Sequence, residues 1–156
     1  MSITIKRIQN ELKDFNTPEY NNLIVITPQE NPFEWHFTMK GGKGTDYAEG
    51  IYHGKIVFPE NYPNSSPPKI YFLNQSGRFE IGTQLCIWLV SHDSNDKWNP
   101  NNHICGYLMG LYPFFESSEN HTGRINSDSA TRQRLAKESI NFICPTCKEI
   151  KFLFKN

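Results

Sequence analysis

Cys86 is the residue best suited to covalent chemistry in this sequence. A free thiol has a pKa near 8.5, so about a few per cent is thiolate at pH 7, and that thiolate is intrinsically nucleophilic. Cys86 lies in an irregular stretch shortly after Gly82 and Thr83. Two readings stay open from the residues alone: a nucleophile, or a core thiol buried between Leu85 and Ile87. Ser91, His92, Asp93 and Asp96 follow before Trp98. They could assist a proton transfer, or simply form a solvated polar loop. Cys144-Pro145-Thr146-Cys147 is a C-x₂-C pair. Such a pair can supply two of the ligands of a tetrahedral zinc site. No second pair and no His-x₃-His follows it, so the two thiols are expected to be structural and no metal is assigned. Cys105, beside Ile104, reads as a buried structural thiol.

The chain that must position these groups has 156 residues, enough for one domain with a core that needs no staples. Sixteen Lys and Arg balance sixteen Asp and Glu. That balance excludes the clustered basic excess of a nucleic-acid binder and gives no charged tail or membrane arm. Aromatic residues reach 13%, which argues for a folded chain despite a mean hydropathy of −0.59. No apolar run is long enough to span a bilayer, and the N-terminus has no apolar stretch of the secretory type. The four cysteines are therefore expected as free thiols in a reducing compartment.

Ile5, Ile8, Leu12 and Phe15 share one face of a helix over residues 1–16, with Lys6, Arg7, Asn10, Glu11, Lys13 and Asp14 on the other faces. Thr17-Pro18 ends it. Strands are predicted at Leu23–Thr27, Phe33–Met39, Gly50–Phe58 and Lys69–Leu73, with short turns that suggest an antiparallel meander. In the second, Phe33, Trp35, Phe37 and Met39 alternate with Glu34, His36 and Thr38. Four prolines between residues 59 and 68 exclude helix and central strand and make a stiff exposed loop. Residues after Leu73 lose periodicity for about thirty positions, a length more often functional than idle. Ile104, Leu108, Leu111 and Phe115 mark a helix cut short by Pro113, and Asp128–Ile143 marks another. Helix, antiparallel sheet, irregular segment and C-terminal helices make an α+β domain.

Ordered along this pattern are motifs that resemble the ubiquitin-conjugating enzymes. Lys6-Arg7-Ile8-x-x-Glu11-Leu12-x-Asp14 is similar to the family's first helix. Tyr47-x-Glu49-Gly50-Ile51-Tyr52, Phe58-Pro59-x-x-Tyr62-Pro63 and Pro67-Pro68-x-Ile70 look like its sheet and proline-rich loop. Leu85-Cys86 followed by Trp98-x-Pro100 is similar to its active-site segment. Asn31-Pro32-Phe33-Glu34-Trp35-His36-Phe37, Ile51-Tyr52-His53-Gly54-Lys55, Gly77-Arg78-Phe79 and the late Ser127-Asp128 with Arg134-Leu135-Ala136-Lys137-Glu138-Ser139 resemble the branch often anchored at the endoplasmic reticulum, which serves disposal of misfolded reticulum proteins.

The resemblance implies a single catalytic domain over 1–156, with a core at about 4–143 and a C-terminal extension at 144–156. It implies that Cys86 takes ubiquitin as a thioester from the activating enzyme and passes it to a lysine with a ligase, of RING type. ATP acts on the activating enzyme, so no cofactor is expected. The alternative is a non-catalytic ubiquitin-handling scaffold on the same fold. The family's His-Pro-Asn triplet, whose Asn supports the loop and the oxyanion, is replaced by Asn74-Gln75-Ser76. Ser76 or Asn74 would then support loop or oxyanion, and His92 would act on the acceptor side. The implied docking surface uses Lys6, Arg7 and Asn10, then Pro63, Asn64 and Ser65, then Pro100 and Asn101. The family's exposed Phe after Tyr-Pro is missing, since Asn64 or Ser65 stands there, which suggests altered ligase choice. Expected placement is cytoplasmic or at the cytosolic face of the reticulum, with any membrane contact through an anchor outside these residues.

Overall fold

The computed structural model describes residues 2–64, 66–85, 98–116 and 123–154. Helix α1, Ile3–Leu12, starts at Ser2, whose hydroxyl accepts the Ile5 amide at 3.1 Å. A 3-10 turn continues it through Phe15. Pro18 does not lead straight into the sheet, because it opens a second short helix, α2, Pro18–Asn21. The first helical position suits proline, which has no N–H to lose there.

Four strands follow in sequence order, each antiparallel to the next: β1 Ile24–Pro28, β2 Glu34–Lys40, β3 Ile51–Val57 and β4 Lys69–Phe72. Phe37 stands opposite Gly54, and Gly54 opposite Phe72. A Cβ on Gly54 would run into the Phe37 ring and the Tyr71 carbonyl, so the glycine lets the rings of Phe37 and Phe72 meet at 5.5 Å. This face carries Trp35, Met39, Tyr52, Ile56 and Ile70 and is covered by Phe15 after α1 and by Phe115 from the C-terminal helices.

The opposite face departs from its sequence pattern. Glu34, His36 and Thr38 alternate with the apolar set, yet His36, Thr38 and His53 are buried. The C-terminal segment lies over them. Helix α5, Ser129–Ser139, presents the Ser139 hydroxyl to the Ile51 amide at 2.8 Å, and Phe142 packs on the His53 ring at 5.8 Å. A hairpin, β5 Ile143–Cys144 and β6 Lys148–Glu149, completes the cover. Cys144 and Ile150, in the segment set apart as an extension, are buried.

The helix predicted around Ile104–Phe115 is two helices, α3 Ile104–Met109 and α4 Leu111–Glu116. The break falls at Gly110, not Pro113, which sits in the first turn of α4 where amides lack intrahelical partners anyway. Helix α5 is shorter than Asp128–Ile143, because Asp128 caps it by accepting the Thr131 amide at 2.8 Å and the chain leaves it through a turn at Ile140 and Asn141 before Ile143 joins a strand. The architecture is α+β, with an N-terminal helix, a four-stranded antiparallel sheet and C-terminal helices. No helix among the described residues is long and apolar enough to cross a membrane.

Candidate active site and docking surface

Cys86, His92 and Ser65 lie outside the described residues. The structure gives the frame that leads up to Cys86. After β4 the chain folds back along that strand. Gly82 donates its amide to the Phe72 carbonyl at 2.9 Å, and Leu85 donates to Ile70 at 2.9 Å. Leu85 is fully buried. The residue before Cys86 is therefore fixed to the sheet by backbone and side chain together.

Asn74 and Ser76 brace this loop. The Asn74 amide oxygen accepts the His53 backbone N–H at 2.9 Å, and its nitrogen donates to the Ile51 carbonyl at 3.0 Å. The side chain thus extends the β3–β4 pairing beyond the strand. The Ser76 hydroxyl oxygen accepts the amides of Arg78 and Phe79, both at 3.1 Å. Both side chains are buried and engaged with nearby backbone, which is the geometry of loop support. Gly77 turns with φ 78°, a conformation that favours glycine. Arg78 is buried and donates to the carbonyls of Phe115 at 2.9 Å and Phe114 at 3.0 Å, near the end of α4. Burial, then the charge of Arg124, pulls its pKa down to about 10. On the far side, Glu80 donates to Gly123 at 2.7 Å and Ile125 to Arg78 at 2.8 Å.

Trp98, at the other end of the undescribed residues 86–97, is held as firmly. Its indole N–H donates to the Pro63 carbonyl at 2.7 Å, and its ring lies 5.6 Å from Tyr62 and 5.1 Å from Tyr107. The proline-rich loop is thus not wholly exposed, since Tyr62 is fully buried within it.

Glu11 is the residue that sequence reasoning misplaced. It reads as a solvent-face residue of the first helix, yet it is fully buried. Its carboxylate accepts from Arg7 at 2.9 Å, from the Ile104 amide at 2.6 Å and from the Tyr62 hydroxyl. The signal was present: Glu11 falls between Ile8 and Phe15 at 3-4 spacing, on the buried side, and Arg7 stands four residues before it. Arg7 also donates to the carbonyls of Pro100 at 2.9 Å and Asn102 at 3.0 Å. The structure therefore brings α1, the Tyr62 loop and the loop after Trp98 together through buried polar contacts. On this surface Lys6, Asn10, Asn64 and Asn101 are exposed, whereas Arg7, Pro63 and Pro100 are half-buried.

The other cysteines separate. Cys105 is half-buried, its sulfur 3.9 Å from an Asp14 oxygen, and burial plus that carboxylate hold its thiol above the usual range. Cys144 and Cys147 do not stand alone. They meet His36 and His53 behind the sheet, in a group able to hold a metal ion. Burial, then His36, pushes the His53 imidazole down to about 4, and burial lowers His36 too, so both are neutral at neutral pH.

Residues 7–142 match the family model described as ubiquitin-conjugating enzyme. Among curated relatives, the chain is 33% identical over 147 residues to human ubiquitin-conjugating enzyme E2 J1, covering 94% of this chain and 45% of that protein. It is 34% identical over 142 residues to ubiquitin-conjugating enzyme E2 34 of Arabidopsis thaliana, covering 91% and 59%. It is 36% identical over 137 residues to ubiquitin-conjugating enzyme E2 6 of Eremothecium gossypii, covering 86% and 54%. The chain spans about half the length of these relatives. Among solved structures, human ubiquitin-conjugating enzyme E2 G1 superposes with a TM-score of 0.61 at 17% identity, over 74% of this chain and 96% of that one, a likeness of fold.

Proposed function

The chain belongs to the ubiquitin-conjugating enzyme family, and from that premise we propose that Cys86 carries ubiquitin as a thioester. In the first step the Cys86 thiolate attacks the carbonyl carbon of the activating enzyme's ubiquitin thioester. A new S–C bond forms, the old one breaks, and the activating enzyme's thiolate leaves. One thioester replaces another, so no further energy source enters at this chain. In the second step a neutral substrate amine attacks the Cys86 thioester, the Cys86 thiolate leaves, and an amide forms. The ammonium form, with a free pKa near 10.4, first gives one proton to solvent, and the attacking nitrogen gives up a second as the amide forms, with His92 proposed as the acceptor-side residue that receives it.

The observation that carries this reading is the fixing of Leu85 against Ile70, in a segment that Ser76 braces earlier along the chain. It supplies a rigid approach to Cys86. Asn74 and Ser76 are proposed as loop supports. Lys6, Asn10, Asn64 and Asn101 are proposed to touch the activating enzyme and a RING-type ligase in turn, with Arg7, Pro63 and Pro100 holding that surface in shape. Placement at the cytosolic face of the endoplasmic reticulum, in disposal of misfolded proteins, rests on the branch-like segments such as Asn31–Phe37 and Ile51–Lys55.

The test is incubation with activating enzyme, ubiquitin and ATP. A thiol-reducible ubiquitin adduct is expected on the native chain and is absent from Cys86→Ala. No adduct on the native chain, or an undiminished one on the variant, overturns the proposal. The scaffold alternative is favoured by the loss of the family's triplet at Asn74-Gln75-Ser76. Loading followed by discharge to free lysine separates the two, because a scaffold does neither.

A further inference from the structure

We propose that His36, His53, Cys144 and Cys147 hold one zinc ion in a four-coordinate structural site that fastens the C-terminal hairpin to the back of the sheet. The sequence presents these residues as two unrelated sets. His36 and His53 lie on neighbouring strands, and the register pairs His36 with Lys55 and Thr38 with His53. The two imidazoles are thus diagonal neighbours on one face, within side-chain reach of each other. The β5–β6 hairpin then lowers Cys144 and Cys147 onto them, and all four ligand atoms lie within 4.8 Å of one another.

The distances fit a tetrahedron better than a hydrogen-bonded cluster. His36 Nδ1 stands 3.2 Å from His53 Nε2 and 3.5 Å from each of the sulfurs of Cys144 and Cys147. One ring nitrogen carries a single in-plane proton or lone pair, so it cannot serve three partners. An ion between them serves all. Zn–N bonds of about 2.05 Å and Zn–S bonds of about 2.3 Å put tetrahedral N–N edges near ~3.3 Å and N–S edges near ~3.6 Å. The three edges match both values.

The surroundings prepare each ligand. His53 Nδ1 stands 2.8 Å from the Thr38 hydroxyl, which can accept its proton and leave Nε2 bare. His36 Nε2 stands 3.4 Å from a Glu34 carboxylate oxygen, leaving Nδ1 bare in the same way. Outer partners of this kind orient metal-bound imidazoles. The Gln29 amide donates to Cys147 Sγ at 3.6 Å. The turn closes at Lys148 with φ 68°, a left-handed conformation unusual outside glycine. Two thiolates and two neutral imidazoles neutralise a divalent ion, so the buried site carries no net charge. Soft sulfur with imidazole in this geometry selects zinc among abundant divalent ions. Binding forms two Zn–S and two Zn–N bonds, and each thiol releases its proton to solvent.

The test uses the whole chain purified without chelators and does not depend on ubiquitin loading. Elemental analysis is expected to give about one zinc per chain, and a strong chelator to lower the Tm by about 10 °C. Exchange with cobalt(II) should give the intense visible bands of a tetrahedral ion together with thiolate-to-cobalt absorption. Cys147→Ser and His53→Gln should lose stoichiometric metal, whereas Cys86→Ala keeps it. Cobalt spectra on the native chain decide the matter if either variant fails to fold. Substoichiometric zinc after refolding with the metal, a chelator-insensitive Tm, or a mass lowered by a Cys144–Cys147 disulfide would each overturn the proposal.

Discussion

Glu11 does more for this molecule than its place on a helix suggests. A buried carboxylate is costly unless its oxygens are matched, and here Arg7, Tyr62 and the Ile104 amide match them. Glu11→Ala is therefore expected to lower stability by about 3 kcal/mol, read as a shifted urea midpoint, because three donors lose their acceptor. Ser76 carries a smaller share. Ser76→Ala removes an oxygen that accepts the Arg78 and Phe79 amides in a buried loop and should cost about 2 kcal/mol. A circular-dichroism melt that leaves either variant at the native midpoint contradicts these roles. The family resemblance implied loop or oxyanion support for Ser76, whereas no buried duty was read for Glu11. Glu11 resembles a solvent-face charge until its neighbours Tyr62 and Ile104 arrive from distant segments.

At the scale of elements, the sheet depends on the close approach at Gly54. Gly54→Ala drives a methyl group toward the Phe37 ring and the Tyr71 carbonyl. Strand β3 is internal to the sheet and cannot shift to relieve this, so a loss of about 3 kcal/mol is expected in equilibrium unfolding. The four strands of the main sheet were legible within a residue or two, unlike β5 and β6, because period-two alternation and turn residues are local properties. The missed features were those in which one element met another. Helix α2 depends on Pro18 restarting a helix rather than ending one. The break at Gly110 could not be told from one at Pro113 by composition, since proline is tolerated in the first turn of a helix. The polar set on β2 alternates with the apolar one, yet its His36 and Thr38 are buried, His36 beneath Cys144 of the hairpin.

At the scale of the whole molecule, zero net charge directs attention to local patches rather than a global field. Lys6 is exposed and makes no ion pair among the described residues, whereas Arg7 ties α1 to the loop after Trp98. Lys6→Glu is expected to slow loading by the activating enzyme about 5-fold with an unchanged Tm, while Arg7→Ala lowers both. Single-turnover loading measured beside a thermal melt checks that division. Cys86 as the seat of the proposed chemistry rests on a family resemblance, whereas the sequence by itself determined the order of helix and strands and the spacing of the motifs. These follow from hydrophobic period, turn chemistry and motif spacing, all written over a few consecutive residues. Only the tertiary structure decided that Glu11 is buried, that Asn74 and Ser76 are engaged as braces, and that His36 and His53 meet Cys144 and Cys147. Those outcomes depend on strand register and on which distant segment covers each face. A contact between residues about a hundred positions apart leaves no periodic trace in the chain that makes it.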